Sequence, residues 1–455
     1  MNYLFKSIYV LFAFALFLPH SALAEEPDTP VLKLESGLPE RVATQHADDS
    51  LTLAEAENIA VKDNTGLASM ASRATAISQI PPQVGTLPDP YLSFDAMNLP
   101  VDTFSTTQEN MTQLKVGLSQ EIPFPGKLKA REEAAQFEAE AASYDVVETR
   151  LRLIRNVDIS WWNIFYLDRA LEIVKRNQAL LRQFIRIAET KYKVGEGLQQ
   201  DVLLAQVELS KLLDVEIQLV GARKNTESGL NKLLNRPTHL AIRLPDNVQE
   251  VLPQIPAETE LHQIALESRP LLASQDELIK AARKRVDLAE LDYYPDFKLG
   301  GAWGSRSGVN PANRQSRPDF ASVGISLNLP IFTATKQDRA LDQQKANVAK
   351  EEFTLQDTTE AVWSEASVAR SDFIKTRDQA SLFKRGIIPQ ASQTVASMLA
   401  GYQVNKVDFL NLVSSQITLY NYETLYWKAL TGARQSLARL EAAIGKKISK
   451  ETEHE

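Results

Sequence analysis

The sequence contains no cysteine. That excludes disulfides, thiolate metal sites, a cysteine nucleophile and a lipid-modified N-terminal cysteine. Glycine is scarce, with 18 in 455 residues, while Ala, Leu, Glu, Gln, Lys and Arg dominate. Such a composition points to long helices and away from an α/β enzyme, which needs many short strands and glycine-bearing loops. Only five histidines occur, at positions 20, 46, 239, 262 and 454, with no H-E-x-x-H and no pair at helical spacing. G-x-S-x-G, a phosphate-binding glycine loop and a dinucleotide fingerprint are also missing. An enzyme has no constellation to rest on, and no cofactor or resident metal is expected. The net charge of -8 leaves no basic surplus to neutralise phosphates, so nucleic acid is excluded as a partner.

Residues 1–24 read as an export signal. Lys6 forms a short positive region, Ile8 to Leu18 is apolar, and Ala22-Leu23-Ala24 ends it like a peptidase site. The alternative is an uncleaved anchor, but the apolar run is too short to span a bilayer as a helix. Cleavage removes only Lys6 among the charged residues, so -8 becomes -9. No later stretch approaches ~20 consecutive apolar residues, so no transmembrane helix is expected in the mature chain. Residues 25–50 form an extended N-terminal segment.

What the chain does contain is one unit written twice. Leu87-Pro88-Asp89-Pro90-Tyr91 returns as Tyr294-Pro295-Asp296-Phe297, and Val116 to Pro123 returns as Val323 to Pro330, at the same offset. Tyr192-Lys193-Val194-Gly195 then returns as Tyr402-Gln403-Val404-Asn405, and Gln206 as Gln416, three residues further on. Repeat 1 covers 51–237 and repeat 2 covers 258–445, with a proline-punctuated connector at 238–257 and a charged tail at 446–455. Each repeat reads helix, strand, strand, helix, helix. Repeat 1 has a helix at about 51–80, broken by Pro81-Pro82, strands at about 89–97 and 112–121, and helices at about 127–193 and 199–234. Repeat 2 has a helix at 258–293, strands at about 296–304 and 320–329, and helices at 335–402 and 408–444.

The long helices carry a heptad. Val157, Trp161, Ile164, Leu167, Leu171, Val174, Leu181, Ile185, Ala188 and Tyr192 step mostly by threes and fours, and Leu341, Val348, Leu355, Val362 and Ala369 recur every seven. A sustained heptad predicts supercoiled, seam-packed helices. A helix over 127–193 would be on the order of 100 Å long, which suits a tube across the periplasm.

The strands alternate. Ala321, Val323, Ile325, Leu327 and Leu329 face one way, and Ser322, Gly324, Ser326 and Asn328 the other. Leu114, Val116 and Leu118 repeat the pattern, as do Phe297, Leu299 and Trp303. The pattern alone fits either a lipid-facing barrel or a sheet with one face on a soluble core. If it is a barrel, four strands cannot close one, and open edges are not tolerated in lipid. Two chains would give eight strands, an interior filled by side chains. Three give twelve, the smallest assembly of this unit expected to leave an aqueous passage. Linkers 98–111 and 305–319 would be the extracellular loops, and the prolines at 123, 125 and 330 mark strand becoming helix.

On these motifs the chain resembles the outer-membrane efflux protein (TolC-like) family. The carriers are the junctions Gln120-Glu121-Ile122-Pro123-Phe124-Pro125-Gly126 and Leu329-Pro330-Ile331-Phe332, with the two turns at 192–195 and 402–405. The resemblance implies a mostly α fold with a small membrane β part, a homotrimer whose twelve-stranded barrel sits on a long α-helical coiled-coil barrel. It also implies an equatorial collar near 238–257 and the C-terminus, a closable periplasmic mouth, and a place in the outer membrane of a Gram-negative cell. The implied partners are a periplasmic adaptor, an inner-membrane RND-type transporter and outer-membrane lipid. The implied function is the exit duct of a tripartite efflux pump. A type I secretion duct for polypeptides shares this architecture, and a periplasmic coiled-coil adaptor or scaffold is the reading from a different class.

Gly195 and Asn405 occupy equivalent turn positions and are the residue types that most readily take a left-handed backbone. The tips Val194, Gly195, Gly197 and Leu198, with Val404, Asn405, Lys406 and Val407, are either the adaptor contact or simply turns. Relatives place acidic rings just past the second turn, but those positions are Asn411 and Ser414 here, and the family's arginine tether falls on Val407. Asp201 and Tyr402 match the family's acidic and tyrosine partners, and a hydrogen bond between them is the expected gate latch. Asp408 and Glu196 are either replacement acidic rings or solvated tip charges. Met97 and Met111 bracket the first strand loop, a thin basis for a thioether site, although Met97 to Asp102 with Met111-Thr112 looks like members that accompany heavy-metal exporters, which adds metal cations to small molecules as the cargo the resemblance implies. Trp161-Trp162 and Tyr420, Tyr422, Tyr426 and Trp427 are read as packing.

Overall fold

The computed structural model describes residues 50–448. The signal segment, nearly all of 25–50 and most of the charged tail lie outside the described residues.

Repeat 1 opens with three short helices, α1 (Leu53–Asp63), α2 (Thr65–Ser78) and α3 (Ile80–Gly85). Thr52 starts α1 with a reciprocal capping box to Glu55. The run expected as one helix breaks at Asn64, whose Oδ1 caps Leu67 N while its Nδ2 donates to Leu233 O at 2.9 Å. Asn favours caps over helix interiors because its side chain competes for backbone groups. As expected, the helical run stops just ahead of Pro81 and Pro82: α2 ends at Ser78, and the two prolines lie in the first turn of the short α3, where a missing N–H costs nothing.

Strands β1 (Tyr91–Met97) and β2 (Gln113–Ile122) follow, then α4 (Lys127–Lys193) and α5 (Gln199–Leu233). Repeat 2 gives α6 (Glu258–Ser268), α7 (Pro270–Leu291), β3 (Phe297–Ser305), β4 (Phe320–Leu327), α8 (Gln337–Leu382), α9 (Ile388–Gln403) and α10 (Phe409–Ile444). Pro270 splits the run expected at 258–293 into two helices. The run expected at 335–402 is also interrupted, by a π-helical turn at Phe383–Ile387 just before Pro389. Proline lacks an N–H and its ring clashes with the carbonyl four residues back, and a wider turn relieves both.

The first part of α4 buries Ala130, Ala134, Ala135, Ala139, Ala141 and Ala142, and the facing α7 buries Ala281, Ala282 and Ala289. Small residues on both sides let the two backbones approach closely. Further along, α4 buries Val157, Trp161, Ile164 and Phe165 in a core shared with α1, α5 and the connector. The Trp161 indole donates to Leu51 O at 3.0 Å and Trp427 packs edge-on to Phe165, so these aromatics are packing. Of the heptad positions, Val174, Leu181, Ala188, Val362 and Ala369 are buried, whereas Tyr192 is exposed.

The sheet is an antiparallel meander, β1-β2-β3-β4, whose central pairing joins the two repeats. Register places Phe94 beside Val116, Val116 beside Trp303, and Trp303 beside Ala321. One face therefore carries Leu92, Phe94, Val116, Trp303, Val323 and Ile325; the other carries serines, glycines, Asp95, Lys115 and Lys298. Val323 is 90 % exposed and Phe94 74 % exposed, so the apolar face covers nothing within the chain. No helix among the described residues is long and apolar enough to cross a membrane.

The strand-to-helix junction is fixed by one lysine. Lys127, the first residue of α4, is 2 % exposed and bonds Asp296 at 2.9 Å, Asp292 at 3.2 Å and Tyr294 O at 3.1 Å. Asp296 also accepts from Phe124 N, and Phe124 stacks on Tyr294 with centroids 4.5 Å apart.

Candidate functional site

The far end of α4 turns into α5 through residues 194–198, and α9 turns into α10 through 404–408. The two turns are built alike. Gly195 N donates to Tyr192 O and Glu196 N to Lys191 O; Asn405 N donates to Tyr402 O and Lys406 N to Gly401 O. Gly195 has φ +77° and Asn405 φ +59°, the left-handed residues that close helices in this way.

One difference separates them. A Cβ on Gly197 would lie 2.9 Å from Lys191 Cβ, and a Cβ on Gly401 would lie 2.6 Å from Val407 Cγ2. Lys191 and Gly401 are equivalent positions, as are Gly197 and Val407. Only one member of each crossing pair can carry a side chain. The first turn gives it to residue 191 and the second to residue 407.

Lys191 uses that space to reach the second turn. Its Nζ donates to Tyr402 O at 2.9 Å and to Asn405 Oδ1, and lies 4.9 Å from the centre of the Tyr402 ring. A cation on the last carbonyls of α9 satisfies orphan acceptors and complements the helix dipole. Lys191 was not among the sequence candidates; the available signal was the basic final turn, Lys191 and Lys193.

The expected Tyr402–Asp201 hydrogen bond is absent. Tyr402 is 6 % exposed and its hydroxyl is buried without a partner, while the ring packs against Phe409 in a cluster with Leu181, Phe184, Ala188 and Leu412. Burial, then the nearby Asp201 carboxylate, raises the Tyr402 hydroxyl above its ordinary pKa. Burial and the charge of Asp408 raise Asp201 as well, against a lowering backbone hydrogen bond at Leu198. The structure thus brings Asp201, Asp408, Tyr402 and Lys191 together, but the cation supplies the tie. Asn411 and Ser414 are exposed on α10, and Glu196 is exposed on the first turn. Val194, Leu198 and Val404 are each about 60 % exposed, an apolar rim around the two turns. Val407 is half-buried against Gly401, and Gly197 and Lys406 complete the tips.

Behind the turns, Gln416 donates to Asn177 Oδ1 at 2.7 Å in a buried bond between α10 and α4, and Arg176 pairs with Glu423. Met97 Sδ accepts from Gln113 at 3.8 Å, and no group of three or more His, Asp or Glu able to hold a metal occurs among the described residues.

The sequence profile described as outer membrane efflux protein matches residues 82–236 and 261–446. A cobalt-zinc-cadmium resistance protein, CzcC of Cupriavidus metallidurans, is 22 % identical over 408 residues, 89 % of this chain and 92 % of that one. The alkaline protease secretion protein AprF of Pseudomonas aeruginosa is 22 % identical over 60 % of this chain and 57 % of its own length. Among solved structures, CusC, described as forming a transmembrane channel, superposes with a TM-score of 0.74 at 18 % identity, covering 87 % of this chain and 92 % of that one.

Proposed function

The chain belongs to the outer membrane efflux protein family, and from that premise we propose that it is the exit duct of a tripartite efflux pump. Three copies would close their sheets into a twelve-stranded barrel in the outer membrane, with the long helices forming a tube through the periplasm. Residues 1–24 direct export and are removed. A periplasmic adaptor and an RND-type inner-membrane transporter complete the pump, and the exposed rim of Val194, Leu198 and Val404 is where the adaptor meets the duct. The connector 238–257 and the C-terminus form the equatorial collar, and the tips, with Asp201, Asp408 and Lys191, form the periplasmic gate.

The observation that carries this reading is the sheet. Its exposed apolar face has two open edges, an arrangement unstable in water and impossible in lipid until closed. Divalent metal cations are the favoured cargo, because similarity to the cobalt-zinc-cadmium resistance protein runs the length of both chains. Polypeptide export is the second reading, supported by the shorter similarity to AprF.

Two measurements test the proposal. Single-particle images of protein extracted from the outer-membrane fraction should show a three-fold, hollow particle; a soluble monomer would end the duct reading. Deleting the gene should raise cellular cobalt, zinc or cadmium several-fold under metal challenge. Unchanged metal with a lost secreted polypeptide would move the cargo to the second reading.

A further inference from the structure

The internal repeat has a geometric consequence at the sheet edges. Tyr91 pairs with Ser119 in β1·β2, and Phe297 with Leu327 in β3·β4. Moving Leu92 and Leu118 forward by 207 gives Leu299 and Ile325, which are themselves partners. The two hairpins therefore share one register under the offset at which Asp89 becomes Asp296 and Val116 becomes Val323.

The sheet has a second kind of pairing, β2 to β3, where repeat 1 meets repeat 2: Val116 beside Trp303, Leu118 beside Gly301, Ser119 beside Gly300. The same offset carries β2 onto β4 and takes β3 back onto β1. Within one chain β4 and β1 are opposite edges, so this pairing can only form between chains.

We infer that β4 of one protomer pairs antiparallel with β1 of the next in a fixed register: Val323 beside Ala96, Ile325 beside Phe94, Ser326 beside Ser93 and Leu327 beside Leu92. This rests on the trimeric duct proposed above and specifies its closing seam. An independent condition agrees. On β4 the apolar residues have odd numbers and on β1 even ones, so only partners whose numbers sum to an odd value keep one apolar face. The register from the offset satisfies this, and it sets Ile325, 68 % exposed, beside Phe94, 74 % exposed. The polar face continues as well, with Ser326 beside Ser93 and Gly324 beside Asp95. The seam lacks one element of its internal counterpart: α4 opens on the buried Lys127, whereas α8 opens on Gln337.

The absence of native cysteine makes the test clean. Ser93→Cys with Ser326→Cys should oxidise to covalent dimers and closed trimers. The link must be intermolecular, because β1 and β4 are three strand spacings apart in one chain, roughly 14 Å, beyond the reach of a disulfide. Pairing Ser326→Cys instead with Tyr91→Cys or Asp95→Cys shifts the register by two, and should cross-link at least tenfold less. A short bis-maleimide repeats the comparison without demanding disulfide geometry, and the single-cysteine variants control for folding. Preferential linking at 91 or 95 overturns the register while leaving the duct standing. Three-fold particles in which no pair links would show that the seam is not β4 on β1. Absence of three-fold particles in the parent protein refutes the duct itself.

Discussion

The helix α4 is held at each end by a lysine, and the two sites are built on opposite plans. Lys127 at its start is buried between two carboxylates and beneath a carbonyl. Lys191, near its end, is half-buried, and its hydrogen bonds go to neutral groups: the Tyr402 carbonyl and the Asn405 side chain. Removing one partner from a buried ion pair leaves an uncompensated charge, whereas a half-buried cation on neutral acceptors can be released to water at smaller cost. The first arrangement suits a joint that must not move between strands and helices. The second suits a tie that opens. Each prediction below is a way to break or sharpen that contrast.

The largest effect should come from Lys127→Ala. Asp296 would keep its place beside Phe124 N and lose its cation, at a cost of about 1.5–3 kcal/mol, to which the lost packing of the buried lysine stem adds. The variant should reach the outer membrane in greatly reduced amount and lose resistance to protease. Near-normal folded yield would mean that the Phe124–Tyr294 stack carries the junction without the lysine.

A smaller effect is expected inside the second turn. Gly401→Ala places a Cβ 2.6 Å from Val407 Cγ2, and overpacking of this kind costs about 1–3 kcal/mol. The damage should be local, seen as faster amide exchange across 400–410, and Val407→Gly in the same chain should reverse it. Failure of the second change to rescue the first would refute the reading of 401 and 407 as a crossing pair.

The tie itself separates two residues that sequence alone placed on equal terms. Lys191→Gln should raise single-channel conductance or open probability in planar bilayers, because the carbonyls of α9 lose their cation. Tyr402→Phe should leave both unchanged, since the Tyr402 hydroxyl bonds nothing. Conductance that rises with Tyr402→Phe and not with Lys191→Gln would return the latch to the tyrosine.

The mostly helical fold with its small sheet was legible because composition, heptad and proline placement agree along most of the chain, and because two divergent copies rarely share a misleading pattern. Where the reading failed, the deciding group lay far away in sequence. Asn64 breaks the first helix partly because Leu233 O waits for its side chain. Likewise the tie between the two turns could not be assigned from the second turn, where Val407 offers no donor. The cation comes from residue 191, and it fits there only because Gly197 stands opposite. Such an exchange between copies is visible only when both turns are built. The sequence placed Asp201 and Tyr402 in one neighbourhood, but the direction of a buried hydroxyl depends on packing by Leu181, Phe184 and Phe409.

A third lysine completes the contrast and gives the gentlest prediction. Lys447 bonds Glu57 at 2.7 Å, with Asp158 and Glu441 close by, so one cation faces three carboxylates. Burial, then repulsion from Glu57, pushes Asp158 up to about 8, and burial raises Glu441. An unfolded Asp158 releases its proton near its ordinary value of 3.8. Between those values the folded chain holds a proton that the unfolded chain has lost, so stability falls as pH rises. The contribution is complete below about 4 and gone above about 8. Asp158→Asn keeps the shape of the protonated acid and removes the titration, so its thermal midpoint should vary less with pH than that of the parent. The two curves should converge toward pH 4 and separate toward pH 8, with the variant the more stable there. If they run parallel across this range, the proton is not held at Asp158.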